Sequence, residues 1–423
     1  MLIFFVFLLG ITTSDTVHLT LDGAIDYGLK NNPEIEQLII DLERSEAKIG
    51  EALSAYYPSF SSSGYFAYVS DVPVFEFDDM PVQMGQHKNY SVSLSLQQVL
   101  FDWGKIYSFY KMTDLRKDIA QLNLTRKRQE IRYSITDALY NLLVLKEMVV
   151  LSKESLAQLR RHEGAVTKRY KAGLVPNFEL LRSKVQVANI KQQVIETENG
   201  LNLAKEGFKM LLGMALDKEF EISGDLKIVD EDYNIEELID AALENRAELK
   251  NMKNVEGIAK LGLDIAQRVF FPTLVAGATY ERKKPFGFGG DEWGSTLTFN
   301  VGLQFPIFSG FKSKYQYKEA SLALKEAQLA FDNLKKGITV EVKQAYLNLQ
   351  AAKEGISAAR ENASQAEKAF EIIEKRYRNG LVTNLEYLDT QLAQMQAKTN
   401  YLSALRNYHS ARAAIYKAIG KEE

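Results

Sequence analysis

The chain of 423 residues contains no cysteine. This absence excludes disulfide bonds, thiol catalysis, cysteine-ligated metals and membrane attachment through a lipidated cysteine. Positive charge is not in excess either, because the 52 Lys and Arg are outnumbered by 55 Asp and Glu, which gives a net charge of -3. Without a surplus of basic side chains to neutralise phosphates, we expect no nucleic-acid partner.

Catalytic and cofactor motifs are absent as well. The chain has no nucleophile elbow, P-loop or dinucleotide fingerprint in a strand-turn-helix context. The histidines His18, His87, His162 and His409 lack the spacing of metal ligands, and we expect all four at the surface. The sequence therefore predicts a protein that is not an enzyme and that holds no cofactor and no metal.

Long apolar runs are missing beyond the first residues. An apolar stretch from Leu2 to Ile11, followed by small polar residues, is typical of a secretory signal, so we assign residues 1–14 to a signal peptide; the alternative is a buried strand or helix. The run is shorter than the roughly 20 residues that a spanning helix needs. No other stretch would span as a helix, so entry into a membrane would have to use strands.

One apolar seam dominates the chain, and it occurs twice. Its steps of four and three residues give a period of 3.5, which predicts a left-handed coiled coil. The first seam, with ten apolar positions of twelve, is Ile131, Ile135, Ala138, Leu142, Leu145, Val149, Ser152, Leu156, Leu159, Glu163, Val166 and Tyr170. The second, 207 residues later and apolar throughout, is Ile338, Val342, Ala345, Leu349, Ala352, Ile356, Ala359, Ala363, Ala366, Phe370, Ile373 and Tyr377.

This spacing predicts an internal tandem duplication. We place the first repeat at residues 15–213 and the second at residues 237–420, joined by an irregular connector over residues 214–236. In the first repeat the long helix is predicted over 102–172 and a return helix over 178–212, preceded by two short helices.

Strict alternation of polar and apolar residues predicts one β-hairpin in each repeat, over residues 59–100 and 273–307. The first would carry a long acidic loop. Four strands with one apolar face cannot close alone, and an open edge in lipid leaves backbone groups unpaired. Association would close them, and two or three copies would give eight or twelve strands.

The turns between the long helices, at residues 173–177 and 380–384, carry apolar residues where exposure is expected. Glycine can end a helix in the left-handed conformation, and Asn177 could cap the return helix, but neither explains the repeated Leu-Val. Exposed apolar residues at a tip indicate a docking surface. The candidate docking residues are Gly173, Leu174, Val175, Gly380, Leu381 and Val382.

These features resemble the TolC-like outer-membrane efflux proteins. The segment from Leu19 to Pro33 resembles the family pattern L-T-L-x-x-A-I-x-x-(A/G)-L-x-N-N-P. The turns over Arg169 to Glu179 and Arg376 to Glu386 resemble R-Y-x-x-G-L-V/A-x-x-x-(D/E). The resemblance implies an α+β membrane protein: a homotrimer whose four strands per chain form a twelve-stranded barrel in the outer membrane above a barrel of coiled helices in the periplasm.

The resemblance further implies that the tip docks a periplasmic adaptor, or membrane fusion, protein, which couples it to an inner-membrane pump or ABC exporter. Glu386 and Asp389 share one helix face, so threefold symmetry would form rings of carboxylates at a pore constriction. Glu179 is the acid that recurs in the first repeat. The alternative is that these acids only complement a helix dipole.

We therefore predict a passive channel or exit duct of a tripartite efflux or type I secretion system. It would conduct small molecules or polypeptides from the periplasm or pump to the exterior. The alternative is a periplasmic coiled-coil scaffold or adaptor protein without a transmembrane barrel, in which the hairpins merely cap the helices.

Overall fold

A computed structural model describes residues 17–77, 80–229, 231–287 and 290–421. The predicted signal peptide lies outside the described residues. The helices are α1 (Leu21–Asn31), α2 (Pro33–Leu53), α3 (Lys105–Lys171), α4 (Asn177–Leu212), α5 (Ile235–Asn245), α6 (Ala247–Arg268), α7 (Lys312–Arg378) and α8 (Asn384–Ile419). The strands are β1 (Val17–Leu19), β2 (Ser59–Tyr68), β3 (Val74–Phe77), β4 (Met80–Gln83), β5 (Lys88–Phe101), β6 (Phe220–Ile222), β7 (Thr273–Lys284) and β8 (Gly294–Gln304).

The same succession of helices occurs twice. Helices α3 and α7 have 67 residues each, and α4 and α8 have 36 each. At about 1.5 Å per residue, each long helix spans about 100 Å. Contacts group the chain into two compact units, and each unit draws on both repeats. We name them the helical unit (residues 17–39, 123–249 and 334–421 of the described chain) and the sheet unit (residues 40–122 and 250–333 of it).

The core of the helical unit lies along the two seams. Seven of the twelve positions are buried in each seam, and all the others are half-buried except Tyr170, which is exposed. Ile135 and Val342 are almost completely buried, at 0% exposed. The 3.5-residue spacing thus predicted which side of each long helix packs inside the chain.

Each pair of short helices is fastened to the end of a return helix. Asn32, between α1 and α2, donates a hydrogen bond from its amide to the carbonyl of Leu211 at 2.7 Å. Arg246, between α5 and α6, donates to the carbonyl of Ala418 at 3.1 Å. The two carbonyls are 207 residues apart and lie at the last turns of α4 and α8. Different side chains therefore make the same connection in the two repeats.

The connector is more ordered than the sequence predicted. Within it, β6 pairs in parallel with β1, and Val17 lies opposite Phe220. The prediction of an irregular segment was wrong here because three-residue strands are too short to show alternation. Further along, Arg412 of α8 donates to Glu231 at 3.0 Å, and Tyr408 of α8 donates to the carbonyl of Val229.

The sheet unit contains one four-stranded antiparallel sheet in the order β2-β5-β7-β8. Both predicted hairpins are present, and pairing of β5 with β7 joins them, with Leu94 opposite Tyr280. The loop predicted between the strands of the first hairpin instead folds into a second hairpin, β3 with β4. None of the helices in the described residues is long and apolar enough to cross a membrane.

Candidate functional site

The two turns between long and return helices have the same backbone geometry. Gly173 and Gly380 both have φ of 73°, in the left-handed region that glycine adopts without strain. The N–H of Leu174 donates to the carbonyl of Arg169 at 2.9 Å, and the N–H of Leu381 donates to that of Arg376 at 3.0 Å. This pattern satisfies carbonyls at the end of each long helix.

The N-terminal caps of the return helices differ. Asn177 was expected to cap α4, but it lies inside the helix, and Pro176 stands at the cap position without a side-chain hydrogen bond. In the second repeat Thr383 caps α8, since its hydroxyl accepts from the N–H of Glu386 at 3.2 Å. Proline has no side-chain acceptor, so Pro176 cannot cap in the same way.

The structure separates the two residues of each Leu-Val pair. Leu174 and Leu381 are 74% and 72% exposed. Val175 and Val382 instead pack against a buried apolar cluster between the helices. We name it the tip cluster; its buried members are Leu159, Val166, Leu180, Ile190, Phe370, Tyr377, Tyr387, Leu388 and Met395. The exposed apolar surface at the turns is therefore provided by the two leucines.

The three candidate pore acids have distinct environments. Glu386 belongs to a capping box, because its carboxylate accepts from the N–H of Thr383 at 2.7 Å. Hydrogen bonds from the backbone and hydroxyl of Thr383 hold the pKa of Glu386 below its usual range. Asp389 is 3.6 Å from a guanidinium nitrogen of Arg182, and Glu179 is half-buried. Glu386 and Asp389 both remain exposed, so the capping role and a pore role are compatible.

A buried polar node joins three helices beside the turns. The side-chain oxygen of Asn384 lies 2.6 Å from Nε2 of His162 on α3. The amide nitrogen of Asn384 donates to two acceptors on α4, the carbonyl of Glu179 at 3.2 Å and the hydroxyl of Ser183 at 3.3 Å. Because His162 and Asn384 are only 5% and 3% exposed, loss of one partner would leave the other buried and unpaired.

Aromatic rings surround this node. The ring of His162 stacks on Tyr387 with centroids 3.9 Å apart, and Tyr377 lies 4.9 Å from the same ring. Burial raises the pKa of Tyr387 to about 12. Arg169 covers the outer side of Tyr377, at 4.8 Å from the ring centroid, and donates to the carbonyl of Tyr377 at 3.3 Å. Arg169 thus ties the end of α3 to the end of α7.

The expectation that all four histidines lie at the surface was wrong for two of them. His162 and His409 are 5% and 2% exposed. His409 stacks on Tyr140 at 4.0 Å. Burial lowers the pKa of both histidines, because a charged imidazolium loses its hydration there. Within the described residues, no cluster of three or more His, Asp or Glu side chains could hold a metal ion.

We expect the free energy of unfolding to fall as the pH drops below about 6.5, the ordinary pKa of histidine. Because the folded pKa values of His162 and His409 are lowered, the unfolded chain takes up protons first. The contribution of the two neutral histidines to the free energy of unfolding is complete above their pKa in the unfolded chain. It is lost as the pH falls through their pKa in the folded chain, by at most about 1.4 kcal/mol per pH unit per proton. Thermal unfolding between pH 7.5 and 5.5 measures this slope.

The variant that tests this pH dependence is His162→Gln, which removes one of the two buried imidazoles and should flatten the slope. Equal slopes for wild type and His162→Gln would contradict the assignment of the pH dependence to the buried node.

Comparison with known proteins supports the resemblance that the sequence suggested. A family model described as "Outer membrane efflux protein" matches residues 24–214 and 238–421. The chain is 21% identical to the outer membrane protein TolC of Escherichia coli over 402 residues, which cover 92% of this chain and 80% of that protein. It is 23% identical to the cobalt-zinc-cadmium resistance protein CzcC of Cupriavidus metallidurans over 327 residues, covering 75% and 74% of the two chains.

Solved structures share the fold. A membrane protein from Pseudomonas aeruginosa superposes with a TM-score of 0.82 at 17% identity, covering 96% of this chain and 92% of that one. The CmeC outer membrane channel of Campylobacter jejuni gives a TM-score of 0.81 at 16% identity, covering 95% and 85%. Since the family model matches most of both repeats, the chain belongs to the outer membrane efflux protein family.

Proposed function

We propose that this protein is the exit duct of a tripartite efflux or type I secretion system, through which small molecules or polypeptides leave the cell without covalent chemistry. The family is one of outer-membrane transport proteins rather than of enzymes. The observation that carries the proposal is the two-faced sheet of the sheet unit.

Register places most of the exposed apolar side chains of the four strands on one face. These exposed residues are Phe60, Phe66, Val92, Leu94, Leu96, Tyr280, Leu297, Phe299, Val301 and Leu303. The other face is polar, and Ser63 and Ser93 hydrogen-bond across it at 2.8 Å. An apolar face of this size fits lipid, and a polar face fits a water-filled lumen. A scaffold whose hairpins merely cap helices would not need such a face.

The sheet has two open edges, β2 and β8. Unpaired edge groups in lipid cost several kcal/mol each, so the edges of different copies would pair. Three copies would close a twelve-stranded barrel. This supports a homotrimer, as does the surface of the long helices.

Helices α4 and α7 each carry a second heptad seam that is exposed in the single chain. On α4 its bulky members are Phe178, Leu181, Val185 and Ile195. On α7 the bulky exposed residues are Val340, Leu347 and Ile372, and exposed small residues lie between Leu347 and Ile372, namely Ala351, Gly355, Ala358 and Ala369. Bulky residues on one helix and small ones on another suit packing of knobs into holes between copies. We propose that these seams form the contacts of the periplasmic helical barrel.

We propose that Gly173, Leu174, Val175, Gly380, Leu381 and Val382 lie at the docking face for a periplasmic adaptor, with the leucines in direct contact. The adaptor would couple the duct to an inner-membrane pump or ABC exporter, which supplies the energy. Glu386, Asp389 and Glu179 would form acidic rings at the periplasmic constriction. The exposure of Glu386 and Asp389 supports this role, and the ion pair with Arg182 would moderate the negative charge.

Light scattering corrected for bound detergent tests the assembly. We expect wild-type protein extracted from the outer membrane to be a trimer that conducts ions in planar bilayers. The variant Leu181→Lys with Val185→Lys should be monomeric, because each lysine places a charge in an apolar seam. Lys191→Glu, an exposed change off the seam, should remain trimeric. A water-soluble wild-type monomer without conductance would overturn the duct and favour the scaffold.

A further inference from the structure

The apolar face of the four-stranded sheet ends in positively charged side chains, at the strand ends remote from the long helices. Strand β5 begins at Lys88, and β7 ends at Lys284. Register sets Arg282 opposite Val92 and Lys284 opposite Tyr90. Since side chains alternate between faces, Lys88, Arg282 and Lys284 all lie on the apolar face. Arg282 and Lys284 are two residues apart, so their Cα atoms are about 7 Å apart.

Aromatic rings lie beside these cations at the end of the aliphatic part of the face. Tyr90 lies 5.0 Å from Phe66 and 6.1 Å from Trp293, measured between ring centroids. The guanidinium of Arg282 lies 5.8 Å from the ring centroid of Trp293. A belt of aromatic rings and cations at the end of an aliphatic face is typical of an interface between lipid tails and headgroups.

The positive charge on this side of the sheet is only partly balanced. Lys284 pairs with Asp291 at 3.1 Å. Lys283 is on the opposite, polar face, where it pairs with Glu281 at 3.5 Å. The described residues provide no ion-pair partner for Lys88 or Arg282, and both side chains are exposed. Unbalanced charge therefore occurs on the apolar face and not on the polar one.

We propose that Lys88, Arg282 and Lys284 bind the phosphate of a lipid headgroup in the outer leaflet of the outer membrane. The inference rests on the proposed function, in which the sheet is part of a transmembrane barrel and its end remote from the helices faces the exterior. The guanidinium of Arg282 can contact two phosphate oxygens at once, while each lysine contributes a point charge. The apolar face below holds the acyl chains, so the ligand is an anionic amphiphile.

The test uses full-length trimer in detergent and measures lipid binding by native mass spectrometry. The probes are a bis-phosphorylated glycolipid, its dephosphorylated form and inorganic phosphate. Wild type should bind the phosphorylated lipid at least about tenfold more tightly than the dephosphorylated one. The variant Lys88→Gln, Arg282→Gln, Lys284→Gln should lose at least about tenfold in affinity, because it removes three charges that attract an anionic headgroup. Lys283→Gln, on the opposite face, should bind as wild type does.

Equal affinity of wild type and triple variant would overturn the proposal, and so would equal affinity for the two lipids. Competition by inorganic phosphate at the concentration at which lipid binds would also overturn it, since the site would then recognise a free anion. Conductance measured on the same preparations distinguishes failure of the lipid site from failure of the proposed function. Conducting trimers without phosphate preference overturn only the lipid site, whereas a non-conducting monomer overturns the duct itself.

Discussion

Gly213→Ala is expected to destabilise the folded chain by about 4 kcal/mol, near the upper end for a single substitution. Gly213 follows α4 with φ of 67°, a conformation that costs an L-residue roughly 1–2 kcal/mol. A Cβ there would lie 2.2 Å from the carbonyl oxygen of Asn31 and 2.7 Å from its carbon. Both are backbone atoms, so the junction of α1 and α2 would have to move away from α4.

The internal repeat supplies a matched control, because Gly420 occupies the equivalent position after α8. Its φ is 68°, but the nearest atoms to an added Cβ are those of the Arg246 and Asn245 backbone at 3.3 Å. Gly420→Ala should therefore cost only about the 1–2 kcal/mol of the left-handed conformation. The two variants isolate the effect of the close backbone approach from that of the dihedral angle.

Thermal unfolding of both purified variants, followed by circular dichroism, measures the difference. We expect the fall in melting temperature for Gly213→Ala to be at least twice that for Gly420→Ala. Failure of Gly213→Ala to accumulate in the outer membrane while Gly420→Ala accumulates would agree with the same ranking. Equal falls in melting temperature would mean that the α1–α2 junction can move at little cost. The close approach of Gly213 to the backbone of Asn31 would then not contribute to stability.

The sequence predicted the long helices because their packing rule repeats every few residues. Ile135 and Val342 are 207 residues apart, lie in the same heptad register, and are both buried. The two hairpins were predicted in the same way, because the alternation of polar and apolar residues also repeats along each strand. The short pairing of β1 with β6 lacked any such signal, since Val17 and Phe220 meet through three-residue strands of distant sequence.

The duplication was a poor guide to the environment of individual residues. His162 is buried, yet its equivalent in the second repeat, Ala369, is exposed. Leu181 is exposed, yet its equivalent Leu388 is buried in the tip cluster. Helices of equal length pack against different neighbours in the two repeats, and periodicity describes a helix face but not its partner. The node around Asn384 was missed for this reason: its sequence equivalent, Asn177, is exposed.

Replacing both exposed leucines, Leu174→Ser with Leu381→Ser, is expected to weaken adaptor docking at least about 30-fold, the change that corresponds to 2 kcal/mol. Each leucine that becomes fully buried on docking contributes roughly 1.5–3 kcal/mol. Binding of purified periplasmic adaptor to the detergent-solubilised protein measures the loss. Thermal stability should be unchanged, because both side chains are exposed in the folded chain.

The neighbouring valines provide the opposite control. Val175 and Val382 pack against the tip cluster, so Val175→Ser with Val382→Ser should lower the free energy of unfolding by about 1–2 kcal/mol for each site. That variant should retain adaptor affinity within about threefold at temperatures where it remains folded, because the two leucines still protrude from glycine-terminated turns. Loss of docking in the valine variant without loss of stability would show that adaptor contacts extend to the whole Leu-Val pair. Unchanged adaptor affinity in the leucine variant would show that the turns are not part of the docking surface.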